Sequence, residues 1–161
     1  MNKFAKPALV LVALIAISLL GVGLYLQLAQ EMLPCPLCIV QRYGFALTAL
    51  LCLITVALPN QYLRAGAAAA SLASIAGAGV AIRHLWIKAH PTISCGIDVL
   101  EVFLNKIIFA NWLPVLFEAD GLCTTEYDPI LGLSIPAWAL IWFTLFAISL
   151  SWLALRYRRP A

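Results

Sequence analysis

The chain's 161 residues are 64% hydrophobic and only 11% charged, with a mean hydropathy of +0.99. Soluble domains are nearer half apolar and a quarter charged, so lipid is the expected solvent and the length suits one small bundle. The net charge of +3 gathers into no basic face on a soluble surface, which excludes nucleic acid as a partner.

In chain order, the first apolar run covers residues 8–28, "ALVLVALIAISLLGVGLYLQL". As a helix it extends about 30 Å, enough to cross a bilayer. Lys3 and Lys6 precede it, as in a secretory signal. The run is too long for a signal's apolar region and lacks an A-x-A site, so it is expected to remain as a span. The second run, 39–58, carries Gln41 and Arg42 near its start and is broken by Pro59 and Asn60. The third, 65–87, is rich in Ala and Gly, with Arg83 and His84 near its end. Small residues there predict close helix packing. The fourth is 135–155. The expected fold is an all-α four-transmembrane-helix bundle, one integral membrane domain over 1–161.

Charge placement orients it. Lys3, Lys6, Arg64, Arg156, Arg158 and Arg159 fall outside the spans on one side, and the seven acids fall on the other. Basic flanks favour the cytoplasm, so both termini are expected there. Two segments then face outward, about 29–38 and 88–134. Within the longer one, Asp98 to Phe117 has polar residues at helical spacing among apolar ones. It reads as one or two short interfacial helices, with Trp112 at headgroup depth and Pro114 as a stop or kink.

Four of the five cysteines, Cys35, Cys38, Cys95 and Cys123, lie outward in this topology, and Cys52 lies within a span. An outward bacterial face is oxidising, so Cys35 with Cys38 and Cys95 with Cys123 are the natural pairs. Cys52 reads as a small buried hydrophobe. A Cys95–Cys123 disulfide either exchanges or simply staples the outer loop, the latter worth roughly 3 kcal/mol. The Cys35-Pro36-Leu37-Cys38 pair closes almost no loop, so it suits reversible thiol–disulfide chemistry or half a zinc site. No second C-x-x-C completes such a site, and His84 and His90 follow no finger pattern.

A helix beginning near Cys38 would set its N–H groups and dipole beside that sulfur, favouring thiolate. Arg42, four residues on, shares its face and adds a positive charge that can also donate to a carbonyl. Snorkelling to the headgroups is the other reading of Arg42. A thiolate and an arginine at bilayer depth suit a lipid-soluble electron acceptor, and a quinone fits.

Taken together, these residues resemble the DsbB family of bacterial inner-membrane disulfide-bond formation proteins. The resemblance covers nearly the whole chain: four spans, the outward C-x-x-C followed by "IVQR", the "NWLPVLFEADGLC" approach to Cys123, and "LGLSIPAW" entering the last span. It implies that a reduced periplasmic DsbA-like partner of thioredoxin fold forms a mixed disulfide with Cys95. Electrons then pass through Cys95 and Cys123 to Cys35 and Cys38, and from Cys38 to ubiquinone, or to menaquinone without oxygen. It makes Arg42 the quinone-site arginine. His90 joins Arg42 and Cys38 as a candidate cofactor contact, although Arg83, His84 and His90 suit headgroup contact equally. One departure is visible: family members carry a tryptophan shortly after the fourth cysteine, where this chain has "CTTEYDPILGL" with Tyr127 and Asp128. A paralogue serving another partner, a scaffold with structural disulfides, and a metal- or haem-handling protein are the competing readings.

Energetics explain the need for a strong acceptor. A DsbA-type partner has a potential of about −120 mV, against less than about −300 mV for structural disulfides. Moving two electrons onto such a pair costs roughly 8 kcal/mol, so the pairs must be oxidising and the final acceptor must draw hard.

Overall fold

The computed structural model describes residues 4–90, 102–106, 112–119, 121, 123, 125 and 127–156. The helices are α1 (Ala5–Ala29), α2 (Pro36–Ala57), α3 (Leu63–Ala89), α4 (Val102–Asn105), α5 (Pro114–Phe117) and α6 (Ile135–Arg156). No strand occurs among the described residues beyond an isolated Ile130–Leu133 bridge. α1, α2, α3 and α6 are each long and apolar enough to cross a membrane, α3 together with the turn that precedes it. The fold is therefore all-α with four membrane-spanning helices. Their outer surfaces expose Leu11, Leu14, Leu72, Ile75, Leu145 and Ile148, side chains that only lipid can cover without cost.

α3 is central, packed chiefly on α6 and α2, while α1 leans on α2. Its buried stripe includes Ala67, Ala70, Ser74, Gly77, Ala81 and His84, spaced three or four apart, with Ser71 beside Ala70. Lipid supplies no hydrophobic drive between helices, so close backbone approach and hydrogen bonds hold them. Phe143 of α6 lies where a side chain on Gly77 would sit, and it stacks on Phe45 of α2 at 4.0 Å between ring centroids. Ser71 and Ser151 are hydrogen-bonded at 2.7 Å, and Thr48 and Ser74 at 3.3 Å. Cys52 is fully buried in this core.

α2 starts at Pro36, three residues before the expected boundary, because proline needs no amide partner at a helix's first position. It ends at Ala57, where Leu58 turns extended ahead of Pro59. Lys6 donates to the Leu58 carbonyl at 3.4 Å, tying the start of α1 to the end of α2.

Beyond the other end of the bundle, α5 packs Leu116 and Phe117 against Ile39, Val40 and Tyr43 of α2, with Tyr43 and Phe117 stacked at 4.4 Å. Pro114 opens α5 as a first-position proline, after a bend at Leu113 that follows helical Trp112. Asn105 exchanges two hydrogen bonds with the Ala119 main chain, at 3.2 and 3.0 Å, which holds α4 beside α5. Trp112 is 75% exposed. Residues 98–101 and 107–111 of the expected interfacial helix lie outside the described residues.

Candidate functional site at the start of α2

Pro36 places Cys35 as the cap of α2 and Cys38 in its first turn. The Cys35 sulfur accepts the Cys38 amide at 3.3 Å, a role usually taken by Ser, Thr, Asp or Asn. The Cys35 thiol in turn donates to Cys38 Sγ at 2.9 Å. Both are free thiols. That donated hydrogen bond, and then burial, hold the Cys35 thiol far above the ordinary thiol range.

The Cys123 segment is fastened over this turn from both sides. Gly121 donates its amide to the Pro34 carbonyl at 3.1 Å, and Tyr127 donates its hydroxyl to the Leu33 carbonyl at 3.1 Å. A side chain at Gly121 would run into the Leu33 carbonyl, so only glycine permits this approach. Cys123 is buried and disulfide-bonded. Its sulfur, the Cys35 sulfur and a ring nitrogen of His84 all lie within 4.8 Å of one another. These are donor types a metal ion accepts, but a sulfur in a disulfide is no thiolate ligand. Cysteines this near one another are consistent with sulfur exchange. Cys95, the expected partner of Cys123, lies outside the described residues.

His84 reaches the site because it ends the small-residue stripe of α3. Its Nε2 is 3.7 Å from Cys35 Sγ. Its Nδ1 is 3.2 Å from Nε2 of Gln41, a buried polar residue of α2.

One turn beyond Cys38, Arg42 is half-buried and bonded to protein acceptors. Its Nη1 donates to Gln27 Oε1 at 2.7 Å and to the Leu116 carbonyl at 2.9 Å, and its Nη2 donates to the Gly23 carbonyl at 3.1 Å. Among the described residues these bonds use three of its five N–H groups. Cys38 and Arg42 line a cavity of about 130 Å³, walled by apolar side chains that include Leu20, Phe45 and Ala139. Apolar walls with a guanidinium and a sulfur in reach suit an apolar ring bearing carbonyl oxygens.

Tyr127 lines the same cavity, so the departure from the tryptophan pattern puts a smaller aromatic with a hydroxyl there. Burial, and then charge at Cys38, push its phenol above the ordinary range. His90 is not brought to the cavity. It is exposed, lies tilted against Trp86 at 4.9 Å between ring centroids and pairs its Nδ1 with the Trp86 carbonyl. Six residues past His84, it points about 120° away round the helix.

Three parts of the site escaped the sequence reading: Gln41 as a partner for His84, His84 as a neighbour of sulfur, and Gly121 as the point of loop contact. Gln41 did leave a signal, since a polar residue inside a span usually faces the protein interior.

A family model described as disulfide bond formation protein DsbB matches residues 5–153. Disulfide bond formation protein B of Herminiimonas arsenicoxydans is 58% identical over 154 residues, covering 96% of this chain and 98% of the relative. Disulfide bond formation protein B 2 of Burkholderia lata is 42% identical over 151 residues, covering 94% and 89%. Disulfide bond formation protein B 1 of Pseudomonas syringae pv. syringae is 41% identical over 155 residues, covering 96% and 92%. Matches of this length, running through the long helices and both cysteine segments alike, make the chain a member of the DsbB family.

Proposed function

We propose that this chain is a protein-disulfide:quinone oxidoreductase that reoxidises a DsbA-like dithiol partner at the outer face of a bacterial inner membrane. The observation that carries the reading is the approach of Cys123 to Cys35, whose thiol already contacts Cys38. In the proposed route the partner's thiolate attacks Cys95 of a Cys95–Cys123 disulfide and the electron pair leaves on Cys123. The Cys123 thiolate attacks Cys35 of a Cys35–Cys38 disulfide; a Cys123–Cys35 bond forms, and the electron pair moves to Cys38. The second partner thiol displaces Cys95, which attacks Cys123 and restores the first disulfide. Cys35 and Cys38 are left as the reduced pair.

Ubiquinone or menaquinone bound in the cavity would supply the acceptor for two electrons and two protons. Cys38 would face it, and Arg42 would donate to a carbonyl oxygen while its bonds to Gln27, Leu116 and Gly23 hold the guanidinium in place. The apolar walls exclude water, which strengthens that hydrogen bond.

The proposed orientation puts both termini in the cytoplasm, with 1–161 as one membrane domain. Its support is the shared end of Lys6 and Leu58, which gathers Lys6, Arg64 and Arg156 on one side. The test uses purified protein in detergent with a reduced thioredoxin-fold partner and a soluble ubiquinone. Quinone absorbance should fall only when partner and protein are both present. A scaffold with structural disulfides would leave the absorbance unchanged.

A further inference from the structure

Gln41, His84, Cys35 and Cys38 form a hydrogen-bond chain with a definite direction. The Gln41 amide nitrogen can only donate, so Nδ1 of His84 accepts and carries no proton. The neutral imidazole then bears its hydrogen on Nε2, which faces the Cys35 sulfur at 3.7 Å. The Cys35 thiol passes the direction on to Cys38. A ring nitrogen of the imidazole lies within 4.8 Å of both the Cys35 and the Cys123 sulfurs, so it stands beside the two cysteine segments.

We propose that His84 is a further catalytic residue of the relay, a neutral N–H donor to Cys35, held in that tautomer by Gln41. This rests on the exchange route given above. The step it serves is the one in which Cys95 takes Cys123 back: the Cys95–Cys123 bond forms, the Cys123–Cys35 bond breaks, and the electron pair leaves on Cys35. An N–H aimed at that sulfur stabilises the departing thiolate in a buried site where water does not reach it. No proton moves to or from the imidazole in this step, which separates the role from general acid–base catalysis.

The role is tested on Cys35 itself, without partner or quinone. In a Cys38→Ser background, the pH profile of Cys35 alkylation is measured for His84, His84→Phe and His84→Gln. Arg42 on α2, Lys88 on α3 and the Tyr127 phenol line the same cavity and are common to all three. His84→Phe should move the midpoint up by about one unit, the size of one hydrogen bond to a charged acceptor. His84→Gln keeps an N–H donor and should restore most of it. In the Cys38-containing protein, His84→Phe should slow turnover roughly tenfold and accumulate the Cys35–Cys123 cross-link. Labelling of buried Cys52 reports any unfolding. If His84→Phe unfolds, Gln41→Leu, which frees Nδ1, should move the midpoint the same way by a smaller step. An unmoved midpoint in the folded variants, or a His84→Gln variant as impaired as His84→Phe, overturns the proposal. A normal His84 effect on Cys35 in a protein that never reduces quinone would instead overturn the oxidoreductase reading alone.

Discussion

Gly121 sits against the main chain of Pro34, its amide 3.1 Å from the carbonyl. Two residues on is Cys123, and one residue beyond Pro34 is Cys35, so this contact sets how near the two sulfurs come. Gly121→Ala would push a methyl into the Leu33 carbonyl. Overpacking of this kind costs about 1–3 kcal/mol when the backbone must shift. The expected result is a lower unfolding midpoint and at least a tenfold loss of exchange between the pairs, read by quenched-flow trapping of the Cys35–Cys123 cross-link. Wild-type exchange in this variant would show that the contact does not position the sulfurs.

Cys38→Ser should stop quinone reduction, since it removes the sulfur that lines the cavity beside Arg42. Cys95 should still trap the partner, because that attack needs only the outer disulfide. Non-reducing gels and quinone absorbance separate the two outcomes. Normal turnover in Cys38→Ser would refute the assigned order of electron flow.

Arg42 joins α1, α2 and α5 through Gln27, Gly23 and Leu116. Arg42→Ala leaves the half-buried Gln27 and Leu116 acceptors without this donor, at about 0.5–1.5 kcal/mol for each hydrogen bond lost. Both thermal stability and quinone affinity should fall, the KM for a soluble quinone rising roughly tenfold. Arg42→Lys keeps the charge but not the fork, so it should recover little of the stability. An unchanged KM in Arg42→Ala would confine the arginine to a structural role.

The Cys35 thiol binds its proton more tightly in the folded chain than in the unfolded one, because it donates to Cys38 and is buried. Its contribution to stability is whole below the ordinary value of 9.0 and is lost as the pH climbs beyond it. In the reduced protein, Cys35 alkylation should stay slow up to that pH, and the unfolding midpoint should decline above it. A labelling inflection at Cys35 near neutrality would contradict the hydrogen-bonded geometry.

Gly77 gives the corresponding test in the bundle. A side chain there meets the Phe143 ring, and Phe143 is itself fully buried and stacked on Phe45. Gly77→Ala should lower stability by about 1–3 kcal/mol. The check is thermal unfolding in detergent. A compensating Phe143→Leu should recover part of the loss if the clash is its cause.

Composition and residue order were enough to read four spans, a C-x-x-C at the head of the second, and an arginine one turn below it. Each is a local pattern: in lipid a helix must satisfy its own backbone, so it is written as an unbroken apolar run, and residues four apart share a helical face in any helix. Tertiary structure alone decided that His84 meets Gln41 across 43 positions of chain, that Gly121 lies on Pro34, and that Arg42 turns to Gln27 and Leu116. The Ala and Gly stripe of α3 announced close packing without saying against what. Its neighbours follow from the register of whole helices and from the outer segment's docking on α2, and no short stretch of chain encodes either.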